Sequence, residues 1–71
     1  TVAGELLVEA LRDENKDVRV EAIVSIQKIR YKDAIPVLKR IYDTASIDEE
    51  YAISEAISDM TGETYPPETE N

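Results

Sequence analysis

Apolar residues recur every three or four positions in four segments of the chain, the spacing expected for one face of an α-helix. In the first segment, about residues 2 to 11, they are Ala3, Leu6, Leu7, Ala10 and Leu11. In the second, Lys16 to Ile29, they are Val18, Ala22, Ile26 and Ile29, which span about 80° of the helical wheel. Asp13 or Asn15 can cap the second helix, so the first half predicts a helical hairpin.

The second half of the chain predicts another hairpin. Asp33 can cap a third helix, with Pro36 in the first turn, where no intrahelical donor is needed. The apolar face of this helix is Ala34, Val37, Leu38, Ile41 and Tyr42. Ser46 and Glu49 have the spacing of a capping box, and Gly62 suits a left-handed C-cap. The fourth helix between them has an apolar face of Ile53, Ala56, Ile57 and Met60.

A shift of 31 positions superimposes the two hairpins. It pairs Leu6 with Val37, Leu7 with Leu38, Ala10 with Ile41, Leu11 with Tyr42, Ala22 with Ile53, Ser25 with Ala56, Ile26 with Ile57 and Ile29 with Met60. One offset aligns both helices of each hairpin, which indicates an internal repeat.

The repeat defines the predicted domain organisation. Residues 1–62 form a single all-α domain of two stacked helical hairpins, a short α-solenoid with repeats at about 2–30 and 33–61. Residues 63–71 are acidic and contain two prolines, so we expect an extended or disordered tail. Tyr65 in this tail can fold back onto the last hairpin.

The first hairpin also carries a family motif, formed by Leu7, Ala10, Leu11, Arg12 and Asp13, followed by Asp17, Val18, Arg19, Ala22, Ile23 and Ile26. It resembles the HEAT-like repeat of the phycobilisome-lyase type over roughly residues 5 to 61. In the second hairpin, Glu49 and Glu50 replace the Val-Arg pair. The resemblance implies a curved solenoid in which the second helix of each hairpin lines a concave, partner-binding surface. Because such arrays usually need at least about three units or caps, we expect a fragment of a longer array or self-association as a homo-oligomer.

The charge distribution narrows the class of partner. All 8 basic residues lie between Arg12 and Arg40, whereas from Ile41 onward there are nine acidic residues and no basic one. Binding of nucleic acid or anionic lipid normally relies on Lys and Arg, so we expect neither a nucleic-acid nor a membrane partner. Another protein, one with a basic segment, fits this charge better.

Two surfaces are candidates for partner binding. The second helix carries a stripe of Val20, Val24, Gln27 and Tyr31, with Tyr31 as an aromatic anchor. The fourth helix carries an acidic strip of Glu50, Ser54, Glu55, Ser58 and Asp59, which would attract a basic partner. The alternatives are that the stripe packs on a neighbouring helix and that the strip is simply a solvated face.

The residue types present argue against catalysis. The chain has no His and no Cys, which removes imidazole bases, thiolate nucleophiles and the commonest zinc sites. The acidic pairs Asp48–Glu49 and Asp13–Asp17 lack the glycine of a calcium loop and fit helix caps better. We therefore predict no catalytic residue, no cofactor and no metal site.

The sequence thus predicts a non-catalytic protein-interaction or scaffold module whose partner is unidentified. One alternative, suggested by the resemblance, is a phycobilin-lyase-like accessory protein. Another is a structural fragment of a longer solenoid with no independent site. The sequence contains no apolar run of about 18 residues and does not begin with a leader pattern. We therefore expect a soluble, cytoplasmic protein.

Overall fold

The computed structural model describes residues 2–67, and their architecture is two stacked helical hairpins. The helices are α1 (Val2–Ala10), α2 (Lys16–Ile29), α3 (Ile35–Tyr42) and α4 (Ile47–Thr61), with a 3₁₀ turn at Lys32–Ala34 before α3. Within the hairpins α1 packs on α2 and α3 packs on α4, while the α2–α4 contact joins them. The predicted all-α fold is confirmed. None of the helices in this part of the chain has the length and hydrophobicity of a membrane span.

Three helix ends have the capping residues that the sequence predicts. The Asn15 side chain accepts a hydrogen bond from the backbone N–H of Asp17 and so caps α2. Ser46 and Glu49 form the predicted capping box at the start of α4. Gly62 ends α4 with a φ of 80°, a left-handed conformation that glycine adopts without steric cost.

The start of α3 differs from the prediction. Asp33 does not cap it, since Asp33 lies inside the 3₁₀ turn and Ala34 holds the N-cap position without a side-chain hydrogen bond. The turn itself uses the first backbone donors: the N–H of Ala34 bonds the carbonyl of Tyr31, and that of Ile35 bonds Lys32. Because these bonds use backbone N–H groups at the start of the helix, fewer donors remain for a capping side chain. Pro36 follows at the start of the helix, as predicted.

The buried core consists of Leu11, Ala22, Ile23, Ile26, Ala34, Leu38, Ile53, Ala56, Ile57 and Met60. The residues of the predicted α3 and α4 faces lie in this core or pack against it, whereas Ala3 and Leu6 of the face predicted for α1 are exposed. In α2 the prediction is partly wrong, because Val18 and Ile29 are 38% and 50% exposed while Ile23 is completely buried. The physical reason is that α2 packs on α1 and α4 together, which draws the adjacent Ile23 into the core and leaves Val18 and Ile29 uncovered.

The segment after α4 closes one end of the core. The ring of Tyr65 meets that of Tyr42 edge to face, with centroids 5.3 Å apart and an interplanar angle of 82°. The hydroxyl of Ser54 donates to the carbonyl oxygen of Tyr65, and Lys39 Nζ lies 5.5 Å from the Tyr65 ring centroid. Tyr65 therefore folds back onto the last hairpin as expected. The rest of the predicted tail, residues 68–71, lies outside the described residues.

Candidate protein-binding surface on α2 and α4

Polar contacts along their length fix α2 beside α4. Near one end, Lys16 Nζ lies 3.2 Å from a carboxylate oxygen of Asp48. Near the other end, Gln27 donates to the Asp59 carboxylate at 3.0 Å, and an Arg30 nitrogen lies 3.6 Å from the same group. These exposed pairs each add little stability, but together they define which side of α4 faces α2.

Between these contacts, Arg19 and Glu49 form a two-point ion pair. Arg19 Nε and Nη2 lie 2.5 and 3.3 Å from the two oxygens of Glu49. Arg19 Nη1 also donates to the carbonyls of Asp13 and Glu14, at 2.6 and 3.0 Å. The Glu49 carboxylate, which is buried, accepts in addition from the backbone N–H and the hydroxyl of Ser46. One glutamate thus caps α4 and joins the two hairpins.

The ion pair changes the acidity of Glu49. The hydrogen bond from Arg19 is the largest influence, and it lowers the pKa of Glu49 to about 2 against the opposing effect of burial. The same bond raises the pKa of Arg19. Sequence analysis assigned Glu49 only a capping role. A signal was present: the 31-residue shift sets Glu49 at the position of Val18, where the second hairpin departs from the family motif.

An open apolar groove of about 580 Å³ runs along α2 and α4 on one side of these contacts. Its lining is Val20, Val24 and Gln27 from α2, with Ile47, Asp48, Tyr51, Ala52 and Glu55 from α4. Ile47 is 82% exposed and Tyr51 is 69% exposed, so the groove forms part of an exposed apolar patch. Interaction with Glu55 raises the pKa of Tyr51. Both side chains line the groove.

The structure brings together three of the four residues of the predicted α2 stripe. Val20, Val24 and Gln27 line the groove, but Tyr31 lies beyond the end of α2 and packs against Gly4 of α1. Sequence analysis missed Ile47 and Tyr51, which lie outside the apolar face predicted for α4. Only the placement of α4 beside α2 joins these two residues to Val20 and Val24.

The acidic strip lies next to the groove and is partly engaged within the chain. Ser54, Glu55, Ser58 and Asp59 line a shallow depression of about 470 Å³ together with Gln27 and Tyr51, while Glu50 is not part of it. Asp59 is held by Gln27 and Arg30, and the Ser54 hydroxyl is held by Tyr65. The carboxylates that line the groove itself are Glu55, beside Tyr51, and Asp48, which pairs with Lys16. Among the described residues no cluster of three or more acidic side chains is arranged to hold a metal ion.

Comparison with protein families agrees with this architecture. The family model described as HEAT repeats matches residues 3–64, which includes both hairpins. The chain belongs to the HEAT repeat family. Comparisons with curated proteins and with solved structures gave no significant match. The matching model describes HEAT repeats in general, so the resemblance to the phycobilisome-lyase type stays a prediction.

The α2–α4 surface corresponds to the kind of surface that HEAT repeat arrays use to bind other proteins. HEAT hairpins pack against their neighbours into solenoids, and such arrays commonly mediate protein–protein interaction through extended concave surfaces. In this chain the second helices of the two HEAT hairpins, α2 and α4, make the most extensive contact between the hairpins and line the groove.

The Tyr31 contact leads to a prediction about α1. A Cβ atom on Gly4 would lie 2.6 Å from Cζ of Tyr31, so Gly4→Ala is expected to lower the free energy of unfolding by about 1 kcal/mol despite the better helix propensity of alanine. In a Tyr31→Ala background the same change should instead be stabilising, by up to about 1 kcal/mol. Urea unfolding of the four proteins measures both values. An equal effect of Gly4→Ala in the two backgrounds would contradict the contact.

Proposed function

We propose that the chain is a non-catalytic protein-interaction module that binds a segment of a partner protein in the groove between α2 and α4. The observation that carries this proposal is the exposure of Ile47 and Tyr51 beside Val20 and Val24, which forms a continuous apolar strip. Exposed apolar patches with a polar rim are typical of protein interaction sites. Membership of the HEAT family supports the same function class.

The groove also suggests the chemistry of the partner. Its floor is apolar, and the acidic groups along it are Asp48 and Glu55. From Ile41 onward the chain has no basic residue, and the net charge is −8. A segment that combines an apolar side chain with a neighbouring Lys or Arg would bury the first between Val24 and Tyr51 and place the second near Glu55. The aromatic ring of Tyr51 is suited to an anchoring contact of this kind.

The proposal can be tested by selecting peptides from a random library displayed on phage. The selection should enrich peptides that carry an apolar residue next to Lys or Arg. Val24→Asp should weaken the binding of these peptides at least tenfold. Val18→Asp is the matched control, because it makes the same substitution in α2 at a side chain of similar exposure that does not line the groove. It should leave affinity unchanged.

Chemical-shift mapping with one enriched peptide and isotope-labelled protein provides the second measurement. Shifts should concentrate at Val20, Val24, Ile47, Tyr51 and Glu55, and the affinity should fall with added salt because charge pairs contribute. Equal binding to the Val24→Asp and Val18→Asp proteins, or shifts centred on another surface, would contradict the proposal. Circular dichroism of both variants confirms that they remain folded.

A further inference from the structure

Two parallel helices form the sides of the groove. Lys16 contacts Asp48 near the start of both helices, and Gln27 contacts Asp59 near their ends, so α2 and α4 run in the same direction. Along the groove they present two rows of side chains spaced by about one helical turn, which are Val20 and Val24 from α2 and Ile47, Tyr51 and Glu55 from α4. The longer row spans about 12 Å, the length of about two turns of an α-helix.

Ala52 forms the floor between the two rows. It lines the groove, is half-buried and packs against the core. Its side chain is a single methyl group, whereas Val24 and Tyr51 in the rows beside it are larger. The groove therefore has room along its middle for side chains of a ligand. Rows with a spacing of one turn are also the surface against which the side-chain ridge of another α-helix packs.

The backbone around the groove offers few hydrogen bonds to a ligand. Except in the first turn of α4, the lining residues lie inside helices, where each N–H bonds the carbonyl four residues earlier. The structure describes no strand edge within residues 2–67. An extended ligand would place backbone groups over the apolar floor without partners, which costs free energy comparable to a lost hydrogen bond. A helical ligand satisfies its own backbone and avoids this cost.

We propose that the groove accepts an amphipathic α-helix of the partner protein. The helix places apolar residues at positions i, i+3 or i+4, and i+7 over Ala52, and a Lys or Arg beside Glu55. This inference rests on the function proposed above and specifies the conformation of the bound segment. Residues at these spacings share one helix face, and two turns of them match the length of the longer row. The basic residue complements Asp48 and Glu55, the charged groups of the groove.

A second copy of this chain fits the groove less well. On α1, Val2 and Leu6 are exposed and have helical spacing, but the exposed residues Glu5 and Glu9 accompany them. Docking of this helix would bring its carboxylates toward the acidic groups of the groove, and like charges at close range repel. A helix of another protein with Lys or Arg beside its apolar residues avoids this repulsion.

The test uses random peptides of about 16 residues displayed on phage and selected on the full chain. We expect the enriched peptides to share apolar residues at i, i+3 or i+4, and i+7. In a synthetic version, proline at a central position that faces away from this apolar side should weaken binding at least tenfold, because it breaks the helix. Alanine at the same position is the matched control and should change the affinity less than about twofold. The helical circular dichroism of the mixture should exceed the sum of the separate spectra.

The outcomes separate this inference from the proposed function. Apolar residues at alternating positions, or equal binding of the proline and alanine peptides, would overturn the helical conformation. If Val24→Asp still weakened the binding of those peptides, the groove would remain a protein-binding site. Failure to enrich any peptide sensitive to Val24→Asp would overturn both proposals. In sedimentation equilibrium of the chain alone, a dimer that is lost in Val24→Asp would assign the groove to a second copy and also overturn the inference.

Discussion

Replacing Ile23 with alanine is expected to lower the free energy of unfolding by about 3 kcal/mol, whereas the same change at Ile29 should cost less than about 1 kcal/mol. Both residues belong to α2, but Ile23 is completely buried and Ile29 is half exposed. The loss at Ile23 combines the removed apolar area with the cavity left in the core. A domain of this size has only about 4 to 10 kcal/mol in total, so Ile23→Ala would leave it marginal.

The two variants control for each other. Each removes the same atoms from the same helix, so much of the difference in helix propensity between isoleucine and alanine cancels in the comparison. Urea unfolding followed by circular dichroism at 222 nm gives both free energies. Equal losses at Ile23 and Ile29 would contradict the core described above. Repeating the measurement at a tenfold higher protein concentration shows whether association covers Ile29.

The contrast between Ile23 and Ile29 also shows what the sequence could predict. The period of apolar residues identified all four helices, and the chemistry of Ser46 and Gly62 fixed the ends of α4. The periodicity assigned Val18 and Ile29 to the core because they are apolar at the right spacing. That spacing identifies a helix face suited to packing, but it does not show whether another helix covers this face.

The candidate site was predictable to a smaller extent for a related reason. Val20, Val24 and Gln27 stand out on α2 alone, because a single helix shows which residues share a face. Ile47 and Tyr51 become part of the groove only because α4 lies beside α2, and this placement depends on how the two hairpins stack. Tyr31 follows the last turn of α2, where the helical period no longer applies, and its ring turns toward α1 instead.

The Arg19–Glu49 pair is a further contact that depends on hairpin stacking, and it predicts a pH-dependent stability. Glu49→Gln is expected to cost about 2 kcal/mol at pH 7, because the neutral amide cannot form the ion pair and leaves Arg19 without its charged partner. The matched control is Glu50→Gln, the same change one residue further along α4 and outside the ion pair. It should change the free energy of unfolding by less than about 0.5 kcal/mol.

The direction of the pH effect follows from the lowered pKa of Glu49. In the folded chain this pKa is about 2, below the unfolded value of 4.5, so the folded state binds the proton more weakly. The contribution of Glu49 is fully present above about pH 5 and is lost as the pH falls toward 2. The stability difference between wild type and Glu49→Gln should therefore shrink over this range.

Comparing the two proteins at each pH cancels the titration of carboxylates that both contain. The carboxylate of Asp13 also interacts with Arg19 and could affect the comparison. An Asp13→Asn background removes this contribution, and the stability difference between the proteins with Glu49 and with Glu49→Gln should still decrease as the pH falls. A difference that stays constant from pH 7 to pH 3 would mean that Glu49 acts through its cap alone. In that case the stacking of the two hairpins would depend on the apolar contacts between α2 and α4, without help from the buried charge.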